Sequence, residues 1–395
     1  VHDGSALPQR EDSVSLFEPE ERPRASRRVR TGWTLLVVAL VLGLVMSFLP
    51  APYVIEQPGP VYDTLGSQEQ GGKDVPLISI DGAETYPTDG TLDMLTVSVR
   101  GTREQRPSWA EIFTSWFDRS KAVVPIDSIY PPTVSTEQRN EQNAALMVDS
   151  QKEAVAAALT QLDIPFETDV AVGGVDPEGP AADSLVAGDL ILSVNGTAAT
   201  DVDELRAALA ANGTGQPASI LVRHDDGSEE TIQITPVISE QTDAPAIGIS
   251  VAYSYEFPFD VDIELNDVGG PSAGMMFALG IIDKLTPGQL NGGKNVAGTG
   301  TIDAAGEVGP IGGIRQKLFG AKDAGASIFL APATNCDEVV GHVPDGLTVF
   351  AVDTLSDSMA ALEAVASGGD TSSLPTCETV TAAAGAATPA GSQGS

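Results

Sequence analysis

Positive charge is scarce in this chain of 395 residues: 21 Lys and Arg stand against 55 Asp and Glu, a formal net charge of −34 at pH 7. A field of that sign repels phosphate at long range, which excludes a nucleic-acid binder built on backbone contacts. Histidine is scarcer still, at positions 2, 224 and 342, with no His-Glu-x-x-His helix, and there are two cysteines. Zinc chemistry lacks ligands on that count, so metal-dependent hydrolysis is excluded and no cofactor is expected. What is present is apolar material, 42% of residues, enough for globular cores in two or three domains.

The charge is unevenly spread. Residues 1–30 hold six acids and six bases, residues 31–50 hold none, and the whole excess, 49 acids against 15 bases, follows position 50. The divider is a run of seventeen apolar or small residues at 33–49. Such a run is at the short end of what crosses a hydrocarbon core of about 30 Å. Five Arg crowd its N-terminal flank and Trp33 stands where an interfacial aromatic belongs. The positive-inside rule then puts residues 1–30 in the cytoplasm and the rest outside a single-pass cell-membrane protein, in contact with lipid through residues 33–49. A cleaved signal peptide competes, although its apolar core is usually about 7 to 15 residues. A buried core helix is the third reading.

Beyond the anchor, residues 51–163 read as membrane-proximal strands, among them 54–62, 77–80 and 95–100, forming one small sheet, followed by a long Ala-rich helical pattern over 137–162. Within this part, Trp109, Ile112, Phe113, Trp116 and Phe117 fall at helical spacing; core packing is the commoner explanation, and contact with a lipid surface is the other. Residues 164–238 are short segments with turn signals and one helix at 202–211, a small β-rich barrel. Residues 239–365 form the last domain, and residues 366–395, rich in Ala, Gly, Ser and Thr, read as a flexible tail. Cys336 lies in the last domain and Cys377 in that tail. Outside the cell a bridge between them can persist and would pin the tail; two free thiols are the alternative.

The chemistry concentrates between residues 264 and 326. Asp267-Val268-Gly269-Gly270-Pro271-Ser272-Ala273-Gly274 runs into an apolar helical stretch, which sets Ser272 at a helix N-terminus. Free N–H groups there, around Gly270 and Ala273, suit an oxyanion on a neighbouring carbonyl. Taken alone, a serine in this place is more often a helix cap, and a nucleophile needs a base. The second element, a helix over 313–324, carries Ile314, Leu318, Ala321 and Ala324 on one face, with Lys317 inside that face. A lysine so placed either snorkels to water or is desolvated, and desolvation yields the neutral amine that can accept a serine proton.

Two resemblances follow from the motifs. Gly179-Pro180-Ala181-Ala182 and Ala187-Gly188-Asp189-Leu190-Ile191-Leu192-Ser193-Val194-Asn195-Gly196 closely resemble the bacterial PDZ pattern, although only Ile164-Pro165-Phe166-Glu167-Thr168 stands where a Gly-Leu-Gly-Phe-like loop would precede Val170. PDZ domains take a peptide as an added strand, so the resemblance implies either peptide binding or a purely structural role. Gly270-Pro271-Ser272-Ala273-Gly274, Ala297-Gly298-Thr299-Gly300-Thr301-Ile302, Gly306-Glu307-Val308-Gly309-Pro310-Ile311-Gly312-Gly313 and Lys317 together resemble the proteolytic domain of Lon proteases, peptidase family S16. The resemblance implies Ser272 as nucleophile, Lys317 as general base and Thr299 as a support for the lysine. With the anchor and the PDZ pattern, the arrangement is similar to the YlbL-type membrane PDZ proteases of Gram-positive bacteria.

The expected fold class is therefore α+β and multi-domain: one transmembrane helix, a PDZ-like β-barrel and a Lon-type α/β proteolytic domain. The nearest approach to a nucleotide-binding loop, Gly288-Gln289-Leu290-Asn291-Gly292-Gly293-Lys294-Asn295, has Asn where the magnesium-binding hydroxyl belongs. The expected function is thus ATP-independent serine endopeptidase action on extracytoplasmic polypeptides. A non-catalytic membrane-tethered PDZ scaffold is the alternative. Lon-type domains suggest a homo-oligomer, a weaker expectation without an ATPase ring.

Overall fold

The computed structural model describes residues 27–239, 241–265 and 268–387. The tail expected over residues 1–30 lies outside them except for its last four positions. Helix α1 (Arg27–Ser47) contains, at Arg30–Ser47, the one helix among the described residues long and apolar enough to cross a membrane, and none of that stretch is buried in the protein. Strands β1 (Tyr53–Asp63) and β2 (Thr91–Arg100), helix α2 (Trp109–Ser115), strand β3 (Ala122–Pro125) and the long helix α3 (Thr136–Gln161) follow. Both helices open on capping boxes, Ser108 with Glu111 and Ser135 with Gln138, in which side chain and backbone satisfy each other's free donors.

A second unit then begins. Strands β4 (Glu167–Val175) and β5 (Leu190–Val194), helix α4 (Val202–Asn212), and strands β6 (Ala218–Arg223), β7 (Glu229–Ile234) and β8 (Ile249–Glu256) form one antiparallel sheet in the order β7-β6-β5-β4-β8. Asp201 caps α4 by accepting from the N–H of Glu204 at 2.7 Å. Val170, Val172, Ile191, Val194, Leu205 and Ile220 close its core. The outer strand β8 lies beyond the expected boundary at residue 238: it pairs with β4 from Ile249 opposite Val175 to Glu256 opposite Glu167. No residue of β8 is fully buried, as befits an edge strand, and its register against β4 shifts between Ser250 and Val251.

The remaining elements are α5 (Gly274–Leu285), β9 (Asn295–Gly298), α6 (Ile314–Asp323), β10 (Ile328–Pro332), β11 (Thr348–Val352), α7 (Leu355–Ala366) and α8 (Cys377–Ala387). Their strands do not form a sheet alone. The main sheet runs β11-β10-β9-β2-β1-β3, with the pairs from β11 to β2 parallel and the pairs β2-β1 and β1-β3 antiparallel. The small separate sheet expected for residues 51–163 is thus corrected. Those strands complete the sheet of the last domain, and the β-rich unit is an insertion between α3 and α5. Pairing between residues some 200 positions apart has no local signature, which is why short strands at 54–62 and 95–100 read as self-contained.

Side-chain alternation builds two cores from one sheet. Val296, Ile328, Leu330, Phe350 and Val352 face a cluster with α3, α5 and α7, whereas Ala297, Phe329, Ala331, Val349 and Ala351 face a second cluster with α6. Helix α5 is buried along nearly its whole length, consistent with its all-round apolar sequence. The stripe at residues 109–117 divides: Ile112 is buried with Ala51 and Ile55, while Phe113, Trp116 and Phe117 are exposed.

The tail expected to be flexible from residue 366 is also corrected within the described residues. Cys377 and Cys336 form a disulfide, α8 follows it, and the N–H of Ala351 in β11 donates to the carbonyl of Pro375 at 2.9 Å. Cys377 and Val380 pack into the second core. Composition alone reads as flexible, but of the two cysteine readings the bridge that pins the tail is the one found, and it does the ordering that periodic apolar residues do elsewhere. Closing a loop of sequence separation 41 restricts the unfolded chain by up to about 4 kcal/mol. Reduction, or the double change C336S/C377S, is therefore expected to lower the unfolding free energy by roughly 2 to 4 kcal/mol, read as a lower urea midpoint with a steeper slope, because the unbridged unfolded chain exposes more surface.

Candidate active site

Ser272 and Lys317 reach each other from opposite faces of the main sheet. Ser272 precedes α5 on the first face and Lys317 stands on α6 on the second. They meet because β9 stops at Gly298 whereas its neighbour β2 continues to Arg100, so the sheet opens at the carboxyl end of β9. A crevice outside strand carboxyl ends, where flanking helices switch faces, is the place open α/β sheets offer to ligands. Here it is a cleft of about 430 Å³ lined by Tyr62, Thr96, Val97, Met147, Ser272 and Lys317, among others.

Lys317 Nζ lies 2.8 Å from Ser272 Oγ and 2.9 Å from Thr299 Oγ1, and the Thr299 hydroxyl donates to the carbonyl of Ser272 at 2.8 Å. This last bond fixes the direction of the others. A hydroxyl has one proton, so Thr299 has only lone pairs left for the lysine, and the amine must donate to it. A neutral amine then keeps a lone pair for the Ser272 hydroxyl. Lys317 is 2% exposed, and burial pushes its amine down to about 7. Desolvation of the charged form is the cause, with no carboxylate close enough to offset it.

The backbone is shaped to hold these groups. Ser272 is not the cap of α5: the helix begins at Gly274, Ala273 occupies the cap position, and the serine side chain is free for Lys317. The N–H of Gly270 donates to the carbonyl of Asn143 at 2.9 Å, so that N–H is committed, and the expectation that it would face an oxyanion is corrected. Gly270 is needed instead for its φ of 90°, a conformation that a side chain disfavours. The N–H groups of Ser272 and Ala273 have no hydrogen-bond partner among the described residues, and Ala273 lines the cleft at the positive end of α5. Ser150 Oγ donates to the carbonyl of Pro271 at 3.0 Å. Asn143 and Ser150, both on α3, thus grip the serine loop from a helix more than 120 residues upstream. Sequence reasoning missed both, since a single Asn or Ser on a helix carries no spacing signal.

Helix α6 is anchored in the same way. Gly313 starts it at φ 69°, and a Cβ there would meet Val97 Cγ2 at 2.7 Å. Asn335, buried, clamps the preceding loop by accepting from the N–H of Ile311 and donating to its carbonyl, each at 2.9 Å. No group of three or more His, Cys, Asp or Glu among the described residues is arranged to hold a metal ion.

Known proteins resemble this chain in two parts. The Lon protease (S16) C-terminal proteolytic domain matches residues 266–364, and a PDZ domain matches residues 172–223. Lon protease 2 of Herpetosiphon aurantiacus is 41% identical over 91 residues, 22% of this chain and 11% of that protein. Lon protease 1 of Sorangium cellulosum is 36% identical over 94 residues, 23% of this chain and 11% of that protein. Matched regions thus span about a tenth of the length of these curated relatives. Among solved structures, the PDZ domain of the SdrC-like protein from Listeria monocytogenes is 31% identical, covering 21% of this chain and 86% of that one, with a TM-score of 0.20. The chain carries a Lon-type proteolytic domain of the serine peptidase class. More particularly, it is a Lon-type domain with a PDZ domain and a candidate N-terminal membrane helix.

Burial of the amine has a thermodynamic consequence. Its folded pKa of about 7 lies below the ordinary 10.5, so between these values the unfolded chain binds more protons and stability rises with pH. Below pH 7 the penalty is fully present. A K317M chain escapes it and is expected to be more stable than wild type at pH 7, by up to about 5 kcal/mol less the lost hydrogen bonds. The advantage should shrink toward pH 10.5; denaturant midpoints at pH 7 and pH 10 test both parts.

Proposed function

We propose that the protein is a membrane-anchored, ATP-independent serine endopeptidase that hydrolyses extracytoplasmic polypeptides with a Ser272-Lys317 dyad. The observation that carries this reading is the buried amine, held near neutral, 2.8 Å from a serine hydroxyl in an open cleft. Ser272 Oγ attacks the peptide carbonyl carbon as its proton passes to Lys317 Nζ, and the carbonyl π electrons move onto oxygen. That oxyanion is met by the N–H of Ala273 at the start of α5. The C–N bond then breaks as Lys317 returns the proton to the departing amine, leaving an acyl ester on Ser272. Water repeats the sequence, giving a proton to Lys317 as its oxygen bonds to the acyl carbon; the C–O bond to Ser272 then breaks as Lys317 passes that proton to Ser272 Oγ, releasing the carboxylic acid and restoring the neutral amine.

Thr299 acts as a positioning residue: its hydrogen bonds tie the lysine to the serine backbone. ATP independence is supported by the sequence at residues 288–295, which in the fold is a turn between α5 and β9 with Asn291 buried rather than a loop leading from a strand into a helix. The anchor reading is supported by the apolar stretch Arg30–Ser47 of α1, none of which is buried, and by the Arg-rich sequence at its start. It places the N-terminus in the cytoplasm and the two domains outside. The PDZ unit offers the edge of β8 to a peptide strand, as a recruiting or restraining element.

The test is cleavage of an unstructured protein such as casein, with no nucleotide added, by detergent-solubilised wild type, S272A and K317A chains. Either substitution is expected to reduce the rate by about 10⁴-fold or more. Wild-type kcat/KM should fall tenfold per pH unit below about 7 and level off above it, since the neutral amine is the active form. Equal cleavage by wild type and S272A would reject the mechanism; no cleavage by any of them would favour a tethered scaffold.

A further inference from the structure

The acidic outer region contains one stretch of opposite character. Residues 100–121 hold five of the fifteen bases that follow position 50, Arg100, Arg103, Arg106, Arg119 and Lys121, against the acids Glu104, Glu111 and Asp118. The stretch is therefore +2, while the remainder of the region, with 46 acids and 10 bases, is −36. Arg106 and Arg119 are exposed and form no ion pair among the described residues. In the same stretch Phe113, Trp116 and Phe117 are 58%, 59% and 75% exposed. Beyond residue 49 these are the only exposed Phe and Trp side chains among the described residues. A basic, aromatic patch of this kind on an acidic surface marks an interaction site.

Its position identifies the occupant. The N–H of Trp109 donates to the carbonyl of Leu49 at 3.2 Å, and the N–H of Ala51 donates to the carbonyl of Pro107 at 2.8 Å. Helix α2 is thus strapped by its first residues to the outer end of α1, and Phe48, 73% exposed, continues the apolar surface of α1 toward it. The other side of α2 is committed inward, with Ile112 buried against Ala51 and Ile55. Aromatic rings with nearby Arg and Lys suit the headgroup layer, where the ring is desolvated and the cation meets lipid phosphate.

We propose that α2 is an interfacial helix whose Phe113, Trp116 and Phe117 enter the headgroup layer of the bilayer that α1 spans, with Arg106 and Arg119 on its phosphates. This rests on the anchor reading of α1 and adds a second, lateral attachment. The attachment bears on the cleft. Strand β2 runs from the cleft residues Thr96, Val97 and Ser98 to Arg100, whose guanidinium holds Glu111 of α2. At 3.3 Å per residue the cleft opens roughly 10 Å along that strand from the membrane-bound helix. With two attachments the outer region cannot swing about the Pro50 and Pro52 segment, and Ser272 faces polypeptide segments emerging from the bilayer.

The experiment uses the full chain in nanodiscs of mixed neutral and anionic phospholipid, with and without bromine on the upper part of the acyl chains. Three single-tryptophan chains are compared: W109F/W116F keeps Trp33, W33F/W109F keeps Trp116, and W33F/W116F keeps Trp109, whose ring is shielded against Tyr53 at 5.9 Å. Bromolipid is expected to cut the emission of Trp33 and of Trp116 roughly by half or more while leaving Trp109 nearly unchanged. Quenching of Trp33 without Trp116 would overturn the interfacial helix and leave the anchor standing. Absence of quenching at Trp33 would remove the anchor, and this proposal with it. Equal quenching of all three would also overturn it, since α2 would then have left the protein surface.

Discussion

Removing one lysine amine from water without giving it a carboxylate sets the terms for the rest of the proteolytic domain. The penalty for a buried charge is avoided only if the amine is neutral, and a neutral amine is useful only if its lone pair has a single proton to accept. The two hydroxyls around Lys317 meet these conditions unequally. Thr299 has spent its proton on the Ser272 carbonyl and can only receive; Ser272 has its proton still to give. Orientation of the dyad therefore follows from the backbone of the serine itself, because that carbonyl is the anchor for the threonine and also accepts the N–H of Gly300 at 3.0 Å.

Keeping the amine dry while leaving the serine reachable explains the layered architecture. The lysine comes from the α6 side of the sheet and the serine from the α5 side, so each is packed by its own core and only their tips share the opening beyond β9. Strands β1 and β2, far away in sequence, form the other wall of that opening. Helix α3 has a double part. Asn143 and Ser150 hold the serine loop, while Glu153 accepts from the hydroxyl of Tyr255 at 2.8 Å, and Tyr255 lies on β8 of the PDZ unit. The inserted unit is thus fastened to the same helix that holds the Ser272 loop.

Much of the candidate site was legible in the sequence because its motifs are local: Ser272 in its glycine-proline frame, Thr299 between glycines, and Lys317 on an apolar helix face are each readable from a few neighbours. What they sit in was not. Strands 53–63 and 91–100 show the alternation of any strand, and nothing in it says that the partner is Asn295–Gly298. Gly270 reads as a donor because glycine permits close approach, but only the fold reveals that Asn143 already takes its N–H. No Gly-Leu-Gly-Phe-like loop precedes Val170, whereas Ile247-Gly248-Ile249 leads into β8 after residue 245; Gly248 has φ 78°, and a Cβ there would meet the Gly179 backbone at 2.9 Å. Chain order concealed a strand that space places beside β4. Residues 366–387 were misread for a different reason, as a disulfide supplies order without leaving a hydrophobic pattern.

The surplus of acids takes on a different meaning beside a lysine of this kind. A carboxylate within about 4 to 6 Å would favour the ammonium and raise its pKa by one or more units, undoing what burial achieves. Despite a formal charge of −34 over the chain, burial is the only influence resolved on Lys317. No carboxylate lines the cleft; most stand on solvent, where water screens them, and the buried Asp93, Asp189 and Asp283 lie outside its lining. The cleft lining is instead hydroxyl, aliphatic and aromatic. An enzyme with a histidine base would be served by an acidic neighbour, which raises and orients the imidazole. A lysine base would require the reverse, and the contact between buried Asp189 and His224, at 2.7 Å, belongs to the PDZ unit, outside the cleft lining. Charge segregation is thus a constraint of the site itself: no carboxylate lines the cleft beside the one amine that burial holds near neutral.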